Sequence, residues 1–315
     1  MQRHIVRTMR CVSLSVALMA LAPLHAIAAA DITAPKTFAS PAEAMRALVA
    51  ALRKDDQPAL IVILGPGSDD LVSSGDPVQD AGERKRVANA AMEHTRLETL
   101  ASGAVTAHLG KDDWPFPIPL VKDGAEWRFD TAAGHQEVLN RRIGRNELRT
   151  LATCRAYVQA QREYASRDRT GAGVGVYAQK VRSDAGKRDG LYWEDSTGSH
   201  ASPLGPLVAE ADAEGYGPHD SGGEPQPYHG FVYRILTAQG AHAPGGARSY
   251  LKDGKMTGGF ALVAYPAHYG SSGIMTFVVG PEGIVFQKNL GEKTGEISKA
   301  ITAYDPDDSW SPVRD

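Results

Sequence analysis

Twice along this chain a run of helical pattern gives way to a run of strand pattern, and that order constrains the fold more than any single residue does. The first helix is announced by Ser40-Pro41-Ala42-Glu43, where Ser40 suits the N-cap, Pro41 the first turn and Glu43 the return bond of a capping box. Ala44, Leu48, Ala51 and Leu52 follow at helical spacing. A second helix is predicted over Gln57 to Leu64, stopped by Gly65-Pro66-Gly67, and a charged third one from about Ala81 to Glu93. Strand pattern then takes over at Arg96 to Leu100, Ala104 to Leu109, Pro117 to Lys122 and Glu126 to Asp130, with Asp123-Gly124 as the last hairpin turn. Helices grouped before strands mean separate layers, so the class is α+β with antiparallel sheets rather than alternating α/β.

The pattern then repeats. A basic cluster, Arg141 to Arg145, leads into a long helix predicted from Asn146 to about Ser166, with Leu148, Leu151, Cys154, Val158, Gln161 and Ala165 on one face. A Gly-, Asp- and Ser-rich excursion from Arg167 to His200 carries Tyr177, Leu191, Tyr192 and Trp193, and a short helix follows from about Leu204 to Ala213. Strands are expected at Tyr228 to Thr237, Gly258 to Tyr265, Gly273 to Val279 and Ile284 to Lys288, with Pro281-Glu282-Gly283 turning the last pair. The chain of 315 residues exceeds one ordinary core, and at roughly 100 to 200 residues per domain it reads as two, 31–140 and 141–315, meeting near Asn140. By pattern the first half resembles the cone-like folds of the nuclear transport factor two and cystatin kind. The second, a long helix packed on an antiparallel meander, is similar to pilin and pseudopilin headgroups.

The N-terminus speaks to location. Arg3, Arg7 and Arg10 precede an apolar run from Val12 to Leu24 that ends in Ala26-Ile27-Ala28-Ala29-Ala30, the plan of a secretory signal peptide. Residues 1–30 are therefore expected to be removed, and the mature chain to be periplasmic or secreted. Removing three arginines and no acid takes the formal charge from −3 to −6, which gives no electrostatic reason to seek nucleic acid or an anionic membrane. No later apolar stretch approaches the roughly 20 residues of a membrane span. Once Cys11 is cleaved away, Cys154 is the lone cysteine, and a lone thiol reads as a small buried apolar group.

Catalytic motifs fail on spacing. No His-Glu-x-x-His or paired-cysteine metal motif occurs, so neither metal nor cofactor is expected. Gly270-Ser271-Ser272-Gly273 is one residue short of a nucleophile elbow. What remains as candidate acid–base chemistry is His219-Asp220, His229 and His268, in or beside glycine-rich segments of the second half. Candidate binding residues are aromatic. Trp114 and Phe116 lie in a Trp-Pro-Phe-Pro-Ile-Pro block that suits an edge strand, and Tyr228, Tyr233 and Tyr269 lie among the late strands.

Four blocks carry a family resemblance: Asp112 to Pro119, Asn140 to Glu147, Gly186 to Trp193 and Pro227 to Gly230. They resemble a bacterial exported family catalogued as a domain of unknown function, number 2950, over about Phe38 to Pro312. The resemblance implies export and a shared fold and supplies no reaction. The expected function is a non-enzymatic binding or assembly module of the bacterial envelope, its partner another envelope protein or polymer. The alternative is a periplasmic hydrolase acting on envelope polymers through the loop histidines and an acid. N-terminal sequencing of exported protein checks the location: it is expected to begin at Ala29 or Asp31, and a membrane-bound form retaining Met1 would contradict this.

Overall fold

A serine or aspartate cap with proline in the first turn starts three of the four N-terminal helices. In the computed structural model, which describes residues 34–171, 173–194, 201–217 and 226–314, helix α1 (Pro41–Arg53) is capped by Ser40, whose Oγ accepts from Glu43 N at 3.2 Å. The Glu43 carboxylate reaches back to Ala39 N at 3.1 Å. Asp56 caps α2 (Gln57–Leu64), and a short α3 (Asp69–Val72) follows. The charged helix α4 (Pro77–Glu93) starts earlier than the expected Ala81, because Asp76-Pro77 is itself a cap and first-turn pair. Four helices then hand over to an antiparallel sheet of β1 (Thr95–Thr99), β2 (Val105–Leu109), β4 (Leu120–Asp123) and β5 (Glu126–Phe129), in that order. The two-residue β3 (Trp114–Pro115) pairs with β2 off that path, an edge position that suits its proline. The buried side of this half is apolar and includes Leu48, Leu60, Leu120 and Phe129.

The long helix departs from expectation at its start. Helix α5 (Thr131–Ala165) has 35 residues and does not begin at Asn146; Asp130, the last residue before it, caps it directly through Ala133 N. At ~1.5 Å per residue it is about 52 Å long, and position 140 lies inside it. Its first turns escape an apolar reading because they pack through small groups: a Cβ on Gly134 would lie 2.6 Å from the Pro117 carbonyl oxygen. Its buried face is the expected one at Cys154, Val158, Gln161 and Ala165, and departs from expectation at Leu148 and toward the N-terminus. Leu148 is 69% exposed, whereas the polar Arg142, Asn146 and Thr150 are buried. Burial pushes the Cys154 thiol up to about 12, the inert state expected of a packed cysteine.

Beyond α5 and α6 (Gly205–Glu214) lies β6 (Phe231–Leu236), followed by two small strand pairs. These are β7 (Ala238–Gln239) with β8 (Arg248–Ser249), and β9 (Leu251–Lys252) with β10 (Lys255–Met256). Strands β11 (Ala261–Pro266), β12 (Met275–Val279), β13 (Val285–Asn289) and β14 (Ser311–Pro312) complete an antiparallel sheet in the order β14-β13-β12-β11-β6. Every residue of β11 is buried, since α5 packs on it and so does α7 (Thr294–Ala300). The second apolar cluster, including Tyr157, Phe231, Met256, Phe260 and Phe277, fills this half. Among the described residues no helix is long and apolar enough to cross a membrane.

Apolar packing thus sorts into two clusters, yet residues 32–315 form one compact unit. A buried polar seam joins them. Asp76, 1% exposed, accepts from Gln79 N at 3.0 Å through Oδ1, and from the Tyr216 hydroxyl and Gly230 N, both at 2.8 Å, through Oδ2. The Gln79 and Asn146 amides bond reciprocally at 2.6 and 3.2 Å, and Asn146 also donates to the Ser272 carbonyl at 2.9 Å. Arg142 donates to the carbonyls of Asp70 and Leu71, both at 2.6 Å, and to the Ser271 hydroxyl at 3.2 Å. Truncating Asp76 strands two buried donors and removes a helix cap. Chemical denaturation should therefore find Asp76→Ala destabilised by about 3–5 kcal/mol, well beyond the ~1 kcal/mol of a lost cap alone.

Candidate functional site

The sequence-derived candidates fall into three places in the described structure. Trp114 and Phe116 line one cavity, Tyr228 and Tyr233 line another, and His229 sits beside the second. Exposed His268 and half-buried Tyr269 lie on the β11–β12 turn, where the His268 ring covers Gly75 so closely that a Cβ there would come within 2.4 Å. Among the described residues no hydrogen bond joins His268 to His229. His219 and Asp220 lie outside the described residues.

His229 is built into a tight turn. It and Gly230 both adopt left-handed backbone, φ 50° and 76°, and Tyr228 and Phe231 exchange backbone hydrogen bonds across them, the geometry of a primed two-residue hairpin. Gly230 is required there twice over, since a Cβ would also lie 2.5 Å from the Asn146 amide. Arg149 donates to His229 Nδ1 at 2.8 Å, which places the imidazole proton on Nε2, 3.2 Å from the Glu214 carboxylate. The rings of Tyr216 and Tyr228 stand against it, with centroids at 5.4 and 4.1 Å. Burial first, and then the Arg149 charge, push its pKa down to about 4. Glu214 is pushed up by burial, against the pull of Arg149. The ring is neutral with its lone pair occupied, so it has no free base to offer.

The tyrosine-lined cavity, about 250 Å³, is formed by Tyr157 from α5, Leu207 and Val208 from α6, and Tyr216, Tyr228 and Tyr233. The Tyr157 hydroxyl donates to the Ala261 carbonyl at 3.1 Å and the Tyr233 hydroxyl to Thr150 at 3.1 Å. Burial raises both phenols above their ordinary range. Two of its polar handles are thus spent on the protein itself.

The other cavity, about 150 Å³, lies in the first half, where Leu48, Leu52, Leu60, Leu64, Val87 and Ile118 supply apolar walls from α1, α2, α4 and the segment before β4. Its rim is cationic. Arg84 and Arg86 come from α4 and Arg141, Arg142 and Arg145 from α5, with Glu83 as the single carboxylate among the lining residues. The Arg86 and Arg141 guanidinium groups each lie over the Trp114 ring, 5.3 and 5.4 Å from its centroid, and the ring meets Phe116 edge-on. Glu83 must serve two cations at once, Arg86 at 2.8 Å and Arg145 at 2.9 Å. Arg141 is held by Glu137 at 2.7 Å, and Arg84 by Asp55 and the Val72 carbonyl. Burial lowers the pKa of Arg145; Glu83 opposes this, and the like charges of Arg86, Arg149 and Arg141 add to it. Burial also lowers that of Arg142. Positive charge is concentrated here at a cost, against an apolar chamber.

Sequence reasoning found the aromatic pair and missed the cations. Arg141, Arg142 and Arg145 read as a basic segment between domains, and only their i, i+1 and i+4 spacing on a helix that begins at Thr131 turns them toward one chamber. Among the described residues no group of three or more His, Cys, Asp or Glu side chains is placed to hold a metal ion.

The buried neutral His229 has a consequence for stability. Its folded pKa of about 4 lies below the ordinary 6.5, so the unfolded chain takes up the proton first as pH falls. Stability is expected to drop by about 3 kcal/mol between roughly pH 6.5 and 4 on this account, and His229→Asn, which tolerates the left-handed turn, should flatten that part of a denaturation-versus-pH curve.

A family model described as "Protein of unknown function (DUF2950)" matches residues 35–313. No curated protein and no solved structure matches the chain.

Proposed function

The chain belongs to the DUF2950 family, and we propose that it is an exported, non-catalytic binding module of the bacterial envelope, whose ligand occupies the arginine-rimmed cavity beneath Trp114. The observation that carries this reading is the combination of apolar walls in a half-open chamber with a few oriented charged groups at the mouth, the general plan of a small-molecule site. Export is supported by the basic start, short apolar run and small-residue end of residues 1–30. Binding is favoured over hydrolysis of envelope polymers because His229 accepts from Arg149 on one nitrogen and faces Glu214 with the other. A general base needs a free lone pair within reach of the proton it removes.

The reading makes the cavity volume functional. Val87, half-buried on the cavity wall, can be enlarged without touching the seam or the rim charges. In a thermal-shift screen of small organic molecules against the processed protein, ligands are expected to raise the melting temperature of the wild type and not that of Val87→Phe. Circular dichroism is expected to match for the two proteins. Hits that persist unchanged in Val87→Phe would place binding elsewhere.

A further inference from the structure

We infer that the cavity beneath Trp114 selects a small organic anion, with an apolar body no larger than one aromatic ring or about six chain carbons and a single carboxylate or phosphate head at the arginine rim. This rests on the proposed binding function and names the chemistry of its ligand.

Size sets the apolar body. A dry cavity of ~150 Å³ holds one benzene molecule, and the volume here is about 150 Å³. Long acyl chains and polymers are too large to be enclosed. The walls set its polarity. Leu48, Leu52, Leu64 and Ile118 offer no hydrogen bonds, so a hydroxyl-rich body such as a sugar would leave buried polar groups unpaired.

Charge sets the head. Five guanidinium groups and one carboxylate line the chamber, and the two acids that pair Arg84 and Arg141, Asp55 and Glu137, stand outside the lining. Arg142 spends its donors on carbonyls and a hydroxyl, and Asp80 and Asp70 offset part of its charge without, among the described residues, forming an ion pair with it. Arg86 and Arg145 share Glu83. The lining therefore carries more guanidinium than carboxylate next to an apolar wall, where an anion is favoured over a cation. Guanidinium groups meet carboxylate and phosphate oxygens in a planar fork, and the Arg86–Trp114–Arg141 stack fixes two of them in place.

Calorimetric titration of the processed protein with isosteric probes tests this. Benzoate and hexanoate are expected to bind at least ~10-fold tighter than benzyl alcohol and hexanol, and benzylamine more weakly than either. Comparing phenyl phosphate with benzoate tells a phosphate head from a carboxylate one. Arg145→Met is expected to erase most of the anion's advantage while leaving the alcohols' affinity within about 2-fold, and Arg86→Met serves as a second variant should the first fail to fold. Alcohols binding as tightly as anions, or the amine binding tightest, would overturn the anion assignment and leave the cavity as the binding site. No binding by any probe would overturn the cavity reading itself.

Discussion

One buried carboxylate, Asp76, holds together parts of the chain that apolar packing leaves apart. Its two oxygens accept three hydrogen bonds, from the first turn of α4, from the tyrosine after α6, and from the glycine of the turn before β6. The donors come from residues up to 154 positions away in sequence. A charge removed from water is tolerated when it is so fully partnered, and each partner left alone would be costly. The neighbouring Gln79–Asn146 amide pair and the Arg142 contacts to Asp70 and Leu71 extend the seam along α5. Because these bonds are directional, they fix how the two halves register, which a second patch of leucine against leucine would do less sharply.

The seam also places the site. Helix α5 is pinned at Arg142 and Asn146, and the residue immediately before each, Arg141 and Arg145, projects at the rim of the cavity in the first half. Helix α4 is pinned at its start by Asp76, and about two to three turns later presents Glu83, Arg84 and Arg86 to the same rim. Two long rigid elements therefore hold the charges, while the flat Trp114 ring bridges them. A site whose cations are fixed beforehand loses less on binding than one that must gather flexible side chains.

Much of the architecture was legible. The helix at Gln57–Leu64 stands where its apolar run and glycine stop place it, and the late strands fall within a few residues of their apolar stretches. What escaped has physical reasons. Helix α3, of four residues, and α7, of seven, are too short to show a period. The start of α5 was hidden because Thr131 and Gly134 bury without being large, while Arg142 and Asn146 bury as polar groups satisfied by distant backbone and Thr150 by the Tyr233 hydroxyl. Hydrophobic periodicity cannot see a seam made of hydrogen bonds. The same blindness applied to the site: Trp114 and Phe116 stood out as aromatics, whereas the arginines became a rim only once α5 was continuous through residue 140.

The central claim is that this chain works by holding a small molecule in the chamber beneath Trp114. Native mass spectrometry of the protein isolated from the cells that make it, without denaturant, tests that claim most directly. The account predicts a mass excess equal to one small organic molecule on the wild-type protein, released by organic solvent and missing from Val87→Phe prepared in the same way. A wild-type protein whose native mass equals that of its polypeptide, or an excess carried equally by Val87→Phe, would contradict it.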